Sequence, residues 1–324
     1  MIALAYAFLC LVWSTTWHAI RISLSGYPPF LGAAMRFVLS TLLLSAACAI
    51  WQWRRGLPLS DLILRDRRSH LGILAAGILN GLGYACIYSA EQTLSGGTTA
   101  ILCASSPLFA LIAARLFGME PLRSRRMFGL ILGLLGVVVL FWDGLSGGAG
   151  RLRAMLLAAI AAALIWPLYG ALLKRYASHL PSLVSTTYFL MYTAVPLLLM
   201  CLLGREPFPA LSAIPWQAHL AFLYLTIGGS VVAWVVYVWL LRRLDLSVLS
   251  ALSLLQPLLA LLLDLVLGLT QLRPSGGGGA LLVLIGMGLA TIRGLQRPAP
   301  SPAAPNPHEP CDPSDTAAPG GARP

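Results

Sequence analysis

Long apolar runs alternate with short polar segments along most of the chain. We count ten runs of roughly 17–25 residues, the length that crosses a bilayer as an α-helix. Within each run the apolar positions are continuous rather than alternating, which excludes a transmembrane β-barrel. The pattern predicts an all-α membrane protein. The ten runs are 3–22, 29–50, 71–90, 96–117, 126–142, 151–173, 182–203, 216–240, 247–268 and 279–293.

The second half of the chain repeats features of the first half. The stretch "SPLFALIAARLFGME" ending at Glu120 matches "QPLLALLLDLVLGLT" ending at Thr270, so Pro107 and Pro257 correspond. At a similar offset, Trp13 corresponds to Trp166. Each half then holds five spans, and an odd number makes the second copy enter from the opposite side. The sequence thus predicts ten transmembrane helices as two inverted five-helix repeats, an architecture of many secondary transporters.

Composition and charge agree with a membrane protein. The chain is 58% hydrophobic and only 10% charged, whereas soluble domains carry about 25% charged residues. The net charge of +11 does not require a nucleic-acid partner, because the basic residues concentrate in alternate loops. The positive-inside rule places those loops, and both termini, in the cytoplasm. The basic loops hold Arg54, Arg55, Arg65, Arg67, Arg68, Arg123, Arg125, Arg126, Lys174, Arg175, Arg242, Arg243, Arg293 and Arg297.

Three segments organise the chain. Residues 1–142 form the predicted first repeat and residues 151–293 the second. Residues 294–324 are rich in proline and alanine and predict a disordered cytoplasmic tail, because such a segment buries too little apolar surface to fold. The first run begins at residue 3 without a basic segment before it, so we expect a retained helix rather than a signal peptide.

The sequence resembles EamA-type members of the drug/metabolite transporter superfamily. The resemblance rests on "WSTTWHAIR" at 13–21, "PPFLGAAMRF" at 28–37, the stretch 105–140 and its second-half counterpart. It covers about residues 3–293. It implies ten helices in two inverted repeats and export of small metabolites, including amino acids. The family usually ends the ninth helix with a glutamate, and this chain has Leu269 and Thr270 there instead.

Ionisable residues inside the runs are candidate functional groups, because charge in a bilayer is costly. Arg36 lies about two turns inside the second run, where it would bind a substrate carboxylate, pair with an acid, or extend to the membrane surface. Asp264 and His18 are candidates for proton coupling, with structural roles as the alternative. Glu120 is a candidate gate or proton site, or a partner of nearby loop arginines. Pro107 and Pro257 predict bends facing a central cavity, or simple packing kinks.

Aromatic residues deep in the runs predict a cavity wall that binds apolar or aromatic solutes, including cations through the ring faces; the alternative is ordinary packing. Together with polar neighbours of the two prolines, they complete the predicted site. The predicted substrate-binding residues are Arg36, Trp13, Trp17, Tyr84, Tyr88, Ser105, Tyr169, Trp234, Tyr237 and Gln256. The predicted coupling or gating residues are Asp264, Glu120, His18, Pro107 and Pro257.

Enzyme and metal motifs are lacking. "GLSGG" at 144–148 matches a serine-hydrolase pattern only literally, and the ATPase-like "LSGGT" has no Walker A loop to accompany it. The six cysteines show no metal-site or disulfide spacing. We therefore expect no metal and no cofactor.

The sequence favours a secondary transporter of the inner membrane that exports a small amino-acid-like or drug-like metabolite by alternating access. The alternatives are a membrane-embedded enzyme or lipid-handling scaffold, and a channel. The expected partners are the substrate and membrane lipids, without nucleic acid. Proton coupling and a homodimer stay open. Small-residue faces at Gly129, Gly133 and Gly136 and at Gly279, Gly286 and Gly288 fit contacts within one chain or between two.

Overall fold

The computed structural model describes residues 1–103, 105–116, 150–244, 274–291 and parts of 127–139 and 249–266. Every regular element in these residues is helical. The nine helices whose bounds are defined there are α1 Ile2–Ser23, α2 Pro29–Arg54, α3 Arg67–Ala90, α4 Gly96–Cys103, α5 Ser106–Leu116, α6 Gly150–Ala177, α7 Ser182–Leu203, α8 Trp216–Leu241 and α9 Pro274–Thr291. Short 3₁₀ turns occur at Leu59–Leu62 and Leu211–Ala213.

Six of these helices are long and apolar enough to cross a membrane. They are α1, α2, α3, α6, α7 and α8, and each coincides with a predicted run; α7 matches the predicted limits of 182–203. The all-α membrane class is thereby confirmed. The count of ten spans and the inverted relation of the two halves stay predictions.

The fourth apolar run differs from its expected form. Instead of one helix over 96–117, the described residues form α4 and α5, with Ser105 in a turn between them. Pro107 is the second residue of α5, where a proline is tolerated because the first turn needs no amide donor. The break therefore comes just before the proline rather than as a kink inside one long helix.

Helices of the first half pack mainly on helices of the second half. Helix α3 contacts α6 and α7, α2 contacts α7, and α1 contacts α8. Glycines permit the close approach of α3: a Cβ at Gly81 would lie 2.5 Å from Pro196 Cγ, and one at Gly77 would lie 2.5 Å from Tyr192 Cβ. Small residues bring membrane helices close enough for extensive van der Waals contact. The interface between the halves is thus the centre of the bundle.

A second glycine contact joins the far ends of the two halves. A Cβ at Gly286 of α9 would lie 2.6 Å from the carbonyl oxygen of Gly129 and 2.7 Å from Gly133 Cα. These small-residue positions therefore meet inside one chain, so they do not by themselves indicate a dimer.

The N-terminus of α2 is capped from the other half of the chain. The Glu206 carboxylate accepts hydrogen bonds from the backbone N–H groups of Phe30 at 3.1 Å and Leu31 at 2.5 Å. A carboxylate at a helix N-terminus satisfies otherwise unpaired donors and complements the helix dipole. This contact ties the loop after α7 to α2, the helix that carries Arg36.

Candidate functional site

A cavity of about 130 Å³ lies between the two halves of the bundle. Seven aromatic side chains line it, and every ring comes from α1, α3, α6 or α8. The aromatic lining residues are Trp13, Trp17, Tyr84, Trp166, Tyr169, Trp234 and Tyr237. The remaining described lining residues include Thr16, Ile20, Ile87, Cys103, Ser106 and Gln256. We call this space the aromatic cavity.

The rings of the aromatic cavity hold one another in place. The Trp234 ring centroid lies 5.3 Å from that of Trp13, 5.3 Å from that of Tyr237 and 5.7 Å from that of Tyr169. On the other side, the Trp17 and Trp166 centroids are 5.9 Å apart. Tilted pairs at these separations are favourable for aromatic rings. The wall is therefore preformed and presents both ring faces and edges.

Several polar groups of the cavity wall have no protein partner. The indole N–H groups of Trp13 and Trp17 and the Ser106 hydroxyl are buried, without a hydrogen-bond partner among the residues that the structure describes. We call these three groups the cavity donors. An indole N–H can only donate, so the tryptophans call for an acceptor. The Trp166 indole N–H is likewise buried without a partner among the described residues, and it lies against Gly83 of α3.

Arg36 lies one layer behind the cavity wall and is only 1% exposed. Its Nε donates to Ser230 Oγ at 2.7 Å, Nη1 donates to the Tyr88 hydroxyl at 3.4 Å, and Nη2 lies 3.5 Å from the Gly229 carbonyl oxygen. Its guanidinium carbon lies 5.1 Å from the centroid of the Tyr84 ring. We call Arg36 with these contacts the Arg36 cluster. Within the described part of the chain, the hydrogen-bond partners of the cation are all neutral.

An irregular turn of α8 makes the Arg36 cluster possible. Residues Ile227–Val232 form a π-helical turn, which changes the direction of the side chains that follow. Ser230 therefore faces Arg36, while Trp234 one turn later lines the cavity. Gly229 admits this close approach, since a Cβ there would lie 2.9 Å from Thr16 Cγ2 and 3.3 Å from Arg36 Nη2.

The structure brings most of the predicted binding residues together. Trp13, Trp17, Tyr84, Tyr169, Trp234, Tyr237 and Gln256 all line the aromatic cavity. Arg36 and Tyr88 are not part of its described wall; they lie in the layer behind it. Ser105 is buried, and its hydroxyl donates to the Leu102 carbonyl oxygen at 2.7 Å rather than lining the cavity.

The predicted coupling residues are only partly described. His18 is buried on α1 next to Trp17, and it is not part of the described cavity wall. Pro107 contributes its backbone to the first turn of α5. Glu120, Pro257 and Asp264 lie outside the residues that the structure describes.

Trp166, Ser106 and Thr16 are among the wall residues that were absent from the predicted site. Trp166 could have been included, because the repeat aligns it with Trp13. Ser106 lies beside the predicted Ser105, and the turn before α5 determines which of the two hydroxyls reaches the cavity. Thr16 carries no sequence signal of its own.

A second, more open cavity continues from the aromatic cavity. Ile20 of α1 and Ile87 of α3 line the aromatic cavity, whereas Leu24 and Glu91, about one helical turn further, line the second. Its polar lining comprises Arg21, Ser25, Glu91, Gln92 and Arg151. We call this space the polar vestibule. The two spaces are therefore stacked along the same faces of α1 and α3.

Comparisons with known proteins agree with this architecture. A sequence profile of the EamA-like transporter family matches residues 1–142 and 153–292. The aromatic amino acid exporter YddG of Ancylobacter novellus is 31% identical over 292 residues, which cover 89% of this chain and 95% of that protein. The inner membrane transporter YedA of Escherichia coli is 27% identical over 261 residues, or 80% of each chain.

A solved crystal structure has a similar fold, with a TM-score of 0.64 and 28% identity; the match covers 91% of this chain and 98% of the other. The relatives just described are named as transporters rather than enzymes. A family match over nearly all of the chain, six helices fit to cross a membrane and a cavity between the halves lead to one conclusion. The chain is a multi-pass membrane transporter and belongs to the EamA-like transporter family.

Proposed function

We propose that the chain exports a small organic metabolite with an aromatic or apolar body across the inner membrane. The observation that carries this proposal is the preformed aromatic cavity between the two halves. Apolar pockets with a few placed polar groups are the usual form of small-molecule sites. The rings around the cavity would stack on a flat substrate, and their apolar faces would hold little water for the substrate to displace.

The name of one relative supports a narrower class of substrate. A protein that is 31% identical over most of its length is an aromatic amino acid exporter. The aromatic wall here fits such a solute, so we take aromatic amino acids and related metabolites as the candidate substrates.

Alternating access is the mechanism that we propose. The two halves would rock about the central cavity, as in transporters built from inverted repeats. Residues 1–142 and 151–293 would be those repeats, each with five spans, and both termini and the 294–324 tail would be cytoplasmic. The polar vestibule supports this scheme, since it lies beyond the aromatic cavity at the end of the bundle that holds the C-termini of α1 and α3. That end would be the non-cytoplasmic opening.

A gradient of protons or of the substrate itself would drive export. Asp264, Glu120 and His18 remain the candidates for proton coupling, with Pro107 and Pro257 as bends that open and close the path. Membrane lipids would surround the exposed apolar faces.

The test is uptake into proteoliposomes by counterflow. Vesicles preloaded with unlabelled tryptophan should accumulate radiolabelled tryptophan, and phenylalanine and tyrosine should compete better than nucleosides or quaternary ammonium drugs. A matched pair of variants controls for folding: Trp234→Ala removes a buried cavity ring, while Trp216→Ala removes a ring that is 67% exposed at the start of α8. Uptake that Trp234→Ala leaves unchanged, or preferential competition by the quaternary ammonium drugs, would contradict the proposal.

A further inference from the structure

We propose that the aromatic cavity selects solutes by charge: it accepts aromatic carboxylates and amino acids, it disfavours aromatic amines, and Arg36 determines this preference. The inference rests on the proposed function, because it assigns a chemical class to the same site. It goes further because it names the charged group of the substrate as a second recognised feature besides the ring, and Arg36 as the residue that distinguishes a negative from a positive charge.

The cavity donors are the first observation. Among the buried indole N–H groups, those of Trp13 and Trp17 line the cavity without an acceptor in the described part of the chain. The Ser106 hydroxyl is also unpartnered, and its side chain is 8% exposed. Leaving buried donors unmatched is costly, so they favour a ligand that brings oxygen acceptors. A carboxylate brings two such oxygens, whereas an ammonium group brings only donors.

The buried charge of Arg36 is the second observation. An arginine stays protonated in proteins, so the cation is permanent. Within the described residues, its partners are a hydroxyl from Ser230, a phenol from Tyr88, a backbone carbonyl and ring faces. These neutral groups solvate the cation without cancelling its charge. The buried acid Glu91, at the end of α3, lines the polar vestibule rather than the aromatic cavity, so it is the Arg36 charge that acts from behind the Tyr84 ring.

The distance is short enough for this potential to matter. The guanidinium carbon is 5.1 Å from the Tyr84 ring centroid, and Tyr84 lines the cavity. A substrate charge in contact with the Tyr84 side chain would lie roughly 9 Å from the cation, allowing one van der Waals contact beyond the ring. At an effective dielectric constant of about 20, this separation favours a unit negative charge over a neutral group by about twentyfold. A unit positive charge is disfavoured by a similar factor.

The ring faces provide the competing attraction for a cation. Tryptophan and tyrosine faces bind ammonium groups, and no sequence argument excludes that use of the cavity. The Tyr84 face, however, is already contacted by Arg36, and none of the described lining residues is an acid that would hold an ammonium group. Among the described residues, the balance of contacts therefore favours the anion.

A series of ligands that share one aromatic ring system but differ in charge tests directly which charge the cavity prefers. Indole-3-propionate, tryptophan, tryptophol and tryptamine share the indole ring and differ in charge: anion, zwitterion, neutral alcohol and cation. Each would compete against labelled tryptophan in counterflow with the full-length protein at pH 7. We expect the propionate and tryptophan to inhibit at concentrations at least tenfold lower than tryptamine, with tryptophol in between.

Variants of Arg36 separate a role in selectivity from a role in folding. Arg36→Gln and Arg36→Met remove the charge, whereas Arg36→Lys keeps the charge but lacks the planar guanidinium group. In the first two variants the ratio between propionate and tryptophol inhibition should fall by about tenfold, and Arg36→Lys should retain most of it. Melting temperature in detergent shows which variants are folded. A purely structural role would lower the activity with all four ligands and leave their ratios unchanged.

Each outcome has a distinct meaning. If none of the four ligands competes in the wild-type protein, the proposed function fails. If tryptamine competes as well as the propionate, the charge preference is wrong while the proposed function stands. If folded Arg36→Gln and Arg36→Met proteins keep the wild-type ratios, Arg36 does not determine the preference. If neither variant folds, the ranking of the four ligands on the wild-type protein decides the preference by itself.

Discussion

The Arg36 cluster and the aromatic cavity are neighbouring polar environments with opposite states of hydrogen bonding. In the cluster, the buried guanidinium uses its donors on Ser230, Tyr88 and Gly229. In the cavity, the N–H groups of Trp13 and Trp17 have no acceptor within the described structure. Both regions include residues of α1, α3 and α8 or lie against them.

The difference indicates which region acts on the ligand directly. Polar groups that already have protein partners stabilise one arrangement of the helices. Unsaturated buried donors cost free energy in the empty protein and recover it when a ligand brings acceptors. We therefore expect the loss of a hydrogen bond in the cluster to affect stability, the loss of the Arg36 charge to affect substrate preference, and changes at the cavity donors to affect transport.

Truncation of Trp234, a residue of the cavity wall, should have the largest effect on stability and transport. Its side chain is buried and packs on Trp13, Phe189 and Tyr237. Trp234→Ala should cost about 3–5 kcal/mol of stability, as large buried aromatics do when they are truncated. Tryptophan transport by the remaining folded protein should fall about a hundredfold, equivalent to about 2.7 kcal/mol of lost binding. Melting temperature and counterflow rates measure the two effects, and a stability close to that of the wild type would refute the packing argument.

Ser230→Ala tests the saturated cluster. The change leaves the Arg36 Nε without its partner at 2.7 Å, and hydrogen bonds to charged groups contribute about 1.5–3 kcal/mol. We expect a loss of about 2 kcal/mol in the free energy of unfolding in detergent, with transport of all substrates reduced in parallel.

Ser185→Ala is the matched control for that substitution. Ser185 is equally buried, but its hydroxyl donates only to carbonyl groups of Pro181 and Ser182 at the start of its own helix. Its loss should cost less than about 1 kcal/mol. Equal destabilisation by the two substitutions would mean that the Arg36 contact contributes no more than a local helix bond.

Ser106→Ala tests the unsaturated cavity with the same chemical change. Because the Ser106 hydroxyl is buried without a described partner, its removal should not lower the free energy of unfolding and should raise it by about 1 kcal/mol. Tryptophan transport should still fall about fivefold, since a donor to the substrate is lost and one hydrogen bond contributes about 1 kcal/mol. Thermal unfolding and counterflow on one preparation give both values. A destabilised protein with unaltered transport would reverse our assignment of the two regions.

Asp66→Asn should have the smallest effect. The Asp66 carboxylate has its hydrogen-bond donors in place, but it is exposed to solvent, which weakens the contribution of those bonds. It caps α3, and hydrogen bonds from the Ser69 hydroxyl, then from the Ser69 and Arg68 N–H groups, lower the pKa of its carboxyl group. A lowered folded-state pKa contributes stability above the unfolded-state value of about 4, and that stability is lost as the pH falls through the folded-state pKa.

The difference in melting temperature between the wild-type protein and Asp66→Asn should therefore be constant near neutral pH. It should shrink as the pH is lowered from about 5 to about 3. A difference that grows on acidification would show that the carboxylate is not stabilised by these bonds.

Local sequence properties predicted the long apolar helices and the aromatic lining of the cavity. Run length and apolarity alone identified six spans, and α7 begins and ends where the run does. Aromatic residues deep in the runs predicted the wall, and Trp13, Tyr84 and Trp234 do line the cavity. These inferences succeed because bilayer thickness and side-chain polarity act on each segment separately.

The sequence alone left two other features open. The small-residue faces fit contacts within or between chains, and the structure resolves this by packing Gly286 on Gly129 and Gly133. The fourth run predicted one helix, whereas the structure has a turn at Ser105 that gives Ser106 the place in the cavity. Both outcomes depend on how neighbouring helices fit together, which local polarity does not encode.

Composition, run lengths and motifs in the sequence determined that this protein is an α-helical membrane transporter with aromatic groups at its centre. Only the tertiary structure decided that Arg36 lies behind the wall, because its partner Ser230 is 194 positions away and faces it through a π-helical turn. Likewise, only the fold leaves the Trp13 and Trp17 N–H groups facing a cavity with no described acceptor. The physical reason is that hydrogen-bond saturation is a property of the assembled helices, since each donor finds or lacks its acceptor on a distant segment of the chain.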